Sequence, residues 1–116
     1  MPRHLATLVA LAVIVASCSD TYEATYANYA EAESDGAVSR GWIPDFVPRN
    51  ARNIEELHNV DTNQQTLTFF IEPTAIPKFI NSLDRFVGAR TGSDSFAVDG
   101  GTVIVDRKNG RVVFRR

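Results

Sequence analysis

From Thr74 onward the apolar positions follow a helical beat. Ile76, Phe79, Ile80, Leu83, Phe86 and Val87 stand at i, i+3, i+4, i+7, i+10 and i+11, while Lys78, Asn81, Asp84 and Arg85 fill the opposite face. This is an amphipathic stripe of period 3.6. It predicts a helix over 74–87, with Thr74 as N-cap, Pro77 in the first turn where no internal bond is lost, and Gly88 as the stop. Immediately upstream the beat changes to two. Leu67, Phe69 and Ile71 alternate with Thr66 and Thr68 across Gln65–Glu72, the pattern of a half-buried strand. Asn53–Val60 fits a helical face through Ile54, Leu57 and His58, and a strand through Glu56, His58 and Val60. The turn chemistry of Asp61-Thr62-Asn63 before a strong strand favours an antiparallel hairpin. Toward the C-terminus Ala89–Asp94 reads as a polar loop. Ser95–Val98, Thr102–Asp106 and Arg111–Arg115 then read as a three-strand meander, turned at Asp99-Gly100-Gly101 and Asn109-Gly110.

Before the hairpin the chain is less regular. Tyr22, Tyr26 and Tyr29 lie at i, i+4 and i+7 among Ala24, Ala27, Ala30 and Ala32. That spacing predicts a helix within 19–40, capped near Asp20 and Thr21 and stopped at Gly41, with the three rings on one side. The rings either face a partner or the headgroup region, or dock the helix onto the domain; the first residues could equally be a loose tether. Residues 41–48, Gly-Trp-Ile-Pro-Asp-Phe-Val-Pro, cannot continue a helix because two prolines stand four apart. Trp42, Ile43, Phe46 and Val47 make this segment an apolar strap that covers one edge of the core. A rigid aromatic strap is also a possible recognition surface, through Trp42 and Phe46. The expected architecture is an α+β domain over 41–116: an antiparallel sheet of about five strands with one amphipathic helix packed on it. An N-terminal helix or tether over 18–40 precedes it.

The first 17 residues stand apart. Arg3 precedes Leu5–Ala16, a stretch of about 12 residues that is apolar except for Thr7, too short to span a bilayer and suited to a secretory leader. It ends in Val15-Ala16-Ser17-Cys18, which resembles the bacterial lipobox. Against an ordinary leader with a chance cysteine stands the placing of Cys18, the chain's single Cys, where a lipobox requires it. What the resemblance implies is cleavage before Cys18, acyl chains on its thiol and amine, and attachment to a bacterial envelope membrane. Several chains make a lasting anchor where one is reversible. Ser19 in place of an Asp points by the same resemblance to the outer membrane, periplasmic face, rather than the inner membrane.

The chain has 116 residues, with 12 Lys+Arg against 14 Asp+Glu. Loss of Arg3 with the leader leaves 99 residues at a net charge of −3. This balance is an average, because residues 18–61 carry 3 basic and 9 acidic side chains and residues 62–116 carry 8 and 5. No concentrated basic face suggests nucleic acid as a partner. The basic terminal hairpin, with Arg107, Lys108, Arg111, Arg115 and Arg116, suits either an edge kept soluble by charge or contact with anionic lipid or an acidic partner.

A second resemblance lies in the mature part. Gly41-Trp42-Ile43-Pro44, Val47-Pro48, Ala51, Asn53-Ile54 and Asp61-Thr62-Asn63 resemble small envelope proteins of the YbbD head-domain type, over about Ala37–Phe70. This implies a small lipoprotein-borne α+β domain and carries no catalytic residue with it. Beyond the leader, His58 is the sole histidine. A triad of His58, Asp61 and some serine, or a metal held by Glu55, Glu56, His58 and Asp61, is possible by composition only, without the surrounding motif that either chemistry uses. No cofactor is expected. The residues therefore point to a lipid-anchored, non-enzymatic binding or structural module, attached to the membrane through Cys18, with Trp42, Phe46, Tyr22, Tyr26 and Tyr29 as the candidate contacts to another envelope protein. An inhibitor or immunity-type lipoprotein against a periplasmic enzyme, and a small hydrolase using His58, are the alternatives.

Overall fold

A computed structural model describes residues 20–90 and 94–116. The leader, Cys18 and Ser19 lie outside the described residues. The described chain is α+β. Its centre is a single antiparallel sheet of seven strands: β1 (Thr21–Asn28), β2 (Arg52–Asn59), β3 (Gln65–Phe70), β4 (Val87–Arg90), β5 (Ser95–Val98), β6 (Gly101–Asp106) and β7 (Arg111–Arg115). Their spatial order is β1-β2-β3-β7-β6-β5-β4. The expected sheet of about five strands gains one strand at each edge, and both additions replace a predicted non-strand element.

The first correction is at the N-terminus. Residues 21–28 are an edge strand rather than a helix or tether, paired with β2 from Thr21↔Asn59 to Asn28↔Arg52. Tyr22 and Tyr26 satisfy a spacing of two as well as of four, and Thr21, Thr25 and the tyrosines are strand formers. Tyr29 falls on the far side of a cap. The Asn28 side chain accepts the Glu31 N–H at 2.9 Å, and the Glu31 carboxylate accepts the Ala27 N–H at 2.9 Å, which starts the short helix α1 (Tyr29–Ser34). Gly36, at φ +85°, ends it. Ala37 N–H reaches Ala32 O and Gly36 N–H reaches Glu33 O, each at 3.0 Å, the paired closure of a Schellman motif. The stop is therefore Gly36 and not Gly41.

The second correction concerns the amphipathic helix. Its regular part, α2, spans only Ile76–Ser82, with tight 3₁₀ turns at Pro73–Ala75 and Leu83–Arg85. Thr74 lies inside the first turn and does not cap α2. Ile76, Phe79, Ile80 and Leu83 are buried as the stripe requires. The chain then leaves the helix, and Val87–Arg90 pairs with β5 as an edge strand instead of forming a last turn and loop. Pairing with β5 gives backbone groups partners that a frayed helix end leaves to solvent.

The hairpin and the meander form as their alternation indicates. Leu67, Phe69, Val103, Val112 and Phe114 are fully buried on one face of the sheet, and the registers Leu67↔Phe114, Phe69↔Val112 and Val103↔Phe114 stack them side by side. Residues 29–48 and α2 cover that face. Phe46 meets Phe114 edge-on at 5.1 Å and Phe79 meets Phe69 at 5.9 Å. Each such ring contributes roughly 1.5–3 kcal/mol by its burial. The opposite face is left to solvent, with Leu57 and Ile104 its exposed apolar residues among threonines and charges. Gly110, at φ +79°, is buried beneath Ile71, whose N–H it receives at 3.0 Å. A Cβ there would fall on the Ile71 carbonyl oxygen, so both backbone angle and space call for glycine.

Candidate functional site

The covered face of the sheet does not end in hydrophobic side chains. Along β2 the inward positions run Ile54, Glu56, His58, and along β3 they run Gln65, Leu67, Phe69. Register places His58 opposite Gln65 on one side and opposite Tyr22 on the other. At this end of the sheet the core therefore becomes polar. Glu56 has a side chain only 1% exposed. Its carboxylate accepts from His58 Nδ1 at 2.9 and 3.0 Å and from Gln65 Nε2 at 2.9 Å. Gln65 Nε2 also donates to the Trp42 carbonyl at 2.7 Å, so one amide ties the strap to the sheet. A carboxylate partner at Nδ1 puts the ring proton there. Nε2 of His58 and Oε1 of Gln65 are enclosed without a partner among the described residues.

Beside this network three rings cluster in mutual contact. The Tyr22 ring stacks on the His58 imidazole at 5.5 Å and 13°, Trp42 tilts against the same imidazole at 4.6 Å and 43°, and Tyr22 and Trp42 also face each other at 6.5 Å and 30°. The Arg40 guanidinium sits 4.8 Å from the Trp42 ring centre, within the range of a cation–π contact. Tyr22 is half exposed and Trp42 partly so. Two shallow clefts flank His58. One, of ≈ 390 Å³, is lined by Thr21, Leu57, Gln64, Thr66 and Arg115; the other, of ≈ 290 Å³, by Arg40, Trp42, Val60 and Asn63; Gln65 and Arg116 border both.

Of the five side chains expected to bind a partner, the structure brings two together. Tyr22 and Trp42 form the stack. Phe46 and Tyr29 are buried in the core and present no surface, because the strap and α1 fold their rings under themselves. Tyr26 packs partly buried against the core, and its hydroxyl donates to Asp35 at 2.7 Å. Burial first, and then that bond, push the Tyr26 hydroxyl up to about 12. The triad considered for His58 is not assembled. His58 turns to Glu56, while Asp61 lies exposed with Asp20, whose hydrogen bond raises the Asp61 carboxyl above its usual range. Neither cleft beside His58 is lined by serine. Glu55 faces away from Glu56 by alternation, and no group of three potential metal ligands gathers among the described residues.

Motif reasoning passes over Gln65 and considers Glu56 only as a metal ligand. Their signal is positional: each continues the inward alternation set by Ile54 and by Leu67 and Phe69.

Residues 20–70 match the YbbD head domain. The match begins upstream of Ala37 and ends at Phe70, taking in β1, α1, the strap, β2 and β3. All of Tyr22, Trp42, Glu56, His58 and Gln65 fall within this YbbD head segment, whereas α2 and strands β4 to β7 lie beyond it. The polar network and its rings thus lie within the matched segment, and the rest of the sheet continues beyond it. No curated protein and no solved structure gives a significant match to the chain.

Proposed function

We propose that the chain is a lipid-anchored protein of the bacterial envelope, attached through Cys18 at the outer membrane, and that its domain is a non-enzymatic binding or structural module. The observation that carries the binding reading is the Tyr22–His58–Trp42 stack. Its rings are held from below by a fully buried carboxylate and an amide, so the exposed aromatic surface is ordered before any partner arrives. Rigid aromatic side chains bind at low entropic cost. A carboxylate at Nδ1 suits a general base, but the geometry still counts against a hydrolytic His58, because Nε2, the nitrogen that would take the proton, is enclosed and neither adjoining cleft is lined by serine. Envelope attachment draws support from the lipobox and from the YbbD head match.

Two measurements test the proposal. Metabolic labelling with a palmitate analogue, followed by membrane fractionation, should mark the wild-type protein and not Cys18→Ser, which should leave the membrane fraction. A photoreactive amino acid at position 22 should capture a discrete envelope component in intact cells. Retention of C18S on the membrane with normal leader cleavage would falsify the anchor. Loss of a measured enzymatic activity on His58→Ala, with the fold intact, would overturn the non-enzymatic reading.

A further inference from the structure

The sheet is oriented by where it begins. From Cys18 to Thr21 there are three peptide steps, at most about 3.6 Å each, so the first residue of β1 lies within about 11 Å of the anchoring residue in any backbone conformation. That reach is short beside the strands themselves: β2, with eight residues, is about 26 Å long at 3.3 Å per residue. An anchored chain therefore holds one particular end of the sheet at the membrane.

The antiparallel order states what lies at that end. It holds the start of β1, the end of β2, the start of β3 and the end of β7. The turn after β2 is fastened directly beside the anchor, Val60 N–H bonding Asp20 O at 3.1 Å. Val60 is 51% exposed and Tyr22 50% exposed. Trp42, Arg40 and Arg116 border the adjoining cleft. Aromatic rings with a polar edge, an exposed aliphatic residue and long cationic side chains are the composition that settles at a headgroup layer: rings at the interface, guanidinium groups reaching phosphate. The three arginines here, Arg40, Arg115 and Arg116, are balanced by Asp20, Asp61 and Asp99 at the same end. Contact at this end thus rests on the rings and the apolar residue, not on net charge.

We propose that the sheet end formed by Tyr22, Arg40, Trp42, Val60 and Arg116 lies against the lipid surface. The opposite end, with the turn between β6 and β7, stands away from it. This rests on acylation of Cys18. It also places the basic side chains Arg107, Lys108 and Arg111 about 20 Å out, one length of β6, where they face the aqueous compartment and not the anchoring membrane.

Trp42 is the chain's single tryptophan, which makes the test direct. The full-length protein is purified from membranes, its acylation read by mass spectrometry, and then reconstituted into phosphatidylcholine–phosphatidylglycerol vesicles. The lipids are used with and without bromine on the acyl carbons nearest the headgroup. Trp42 emission is expected to fall in the brominated vesicles and to be insensitive to salt. In two further variants, Val60→Cys and Lys108→Cys, a thiol-linked fluorophore is expected to respond in opposite ways. The label at 60 should be quenched by bromolipid, and the label at 108 by aqueous iodide. Unquenched Trp42 in acylated protein, or equal quenching of the two labels, overturns the orientation and leaves the anchor standing. An unmodified Cys18 thiol overturns both.

Discussion

Removing the carboxylate beneath the ring stack, Glu56→Ala, is the sharpest test of the reasoning above. Glu56 accepts three contacts from two donors, all between 2.9 and 3.0 Å, with its side chain 1% exposed. A hydrogen bond to a charged group contributes about 1.5–3 kcal/mol, and leaving a buried donor unsatisfied costs about 1–3 kcal/mol. His58 retains 11% exposure, so water can recover part of the loss at its Nδ1. Gln65 is enclosed and recovers little. The expected destabilisation is about 3 kcal/mol, a large share of the roughly 5–15 kcal/mol available to a domain of this size. It corresponds to a fall in Tm of at least about 12 °C. Urea unfolding followed by Trp42 emission and by circular dichroism measures it. Trp42 reports directly, because its carbonyl is bonded to Gln65 and its ring rests on His58. Glu56→Gln keeps the shape and one acceptor, and is expected to lose about half as much. A midpoint change worth less than about 1 kcal/mol for E56A, at unchanged slope, refutes the account of a polar network that holds the platform.

Three further predictions follow from other parts of the fold. Gly110→Ala combines a positive φ with a clash on the Ile71 carbonyl and should cost at least about 2 kcal/mol in urea unfolding, or lower the soluble yield where the variant fails to fold. Asn28→Ala removes the cap acceptor of α1 and should cost about 1 kcal/mol, while Asn28→Ser restores most of it. The Tyr26 hydroxyl, pushed up to about 12 from an ordinary 10.0, keeps its proton in the folded chain where the unfolded chain has lost it. Its contribution is therefore full below about pH 10 and disappears as pH rises toward about 12. Urea midpoints taken across that interval should fall in the wild type and flatten in Tyr26→Phe; equal slopes in the two proteins would count against burial as the cause.

How far the fold could be read from sequence depended on whether one periodicity excluded the other. Leu67 and Phe69 alternate without ambiguity, and β3 forms where they stand, ending one residue before Ile71. The glycine and Asx signals at 99–101 and 109–110 mark real turns, Asp99 and Gly100 both having positive φ. Tyr22 and Tyr26, four apart, fit both a helix and a strand, and only the long-range pairing of Thr21–Asn28 with β2 decides between them. The capping signal Asn28-x-x-Glu31 was present in the chain but lay downstream of where a longer helix would begin. Val87–Arg90 illustrates the reverse: a local stripe ran on past the point where an open sheet edge offered better partners. Trp42 and Tyr22 were recognisable as candidate site residues because aromatic side chains stand out in composition. Gln65 was not, and Glu56 stood out only as a metal-ligand candidate, because the role of a buried polar residue is recognisable only once the covered face of its strand is known.

The position of β1 at the sheet edge, entered at Asp20 from upstream, also determines how the domain carries a mechanical load. A pull on residue 20 opposed by a grip on the far end of the sheet runs parallel to the strands and across ladder bonds that lie perpendicular to them. The bonds between β1 and β2, from Thr21↔Asn59 to Asn28↔Arg52, then resist together in shear and do not open one after another. A grip on β4, at the other edge, would instead draw the strands apart sideways, and the same sheet would unzip at far lower force.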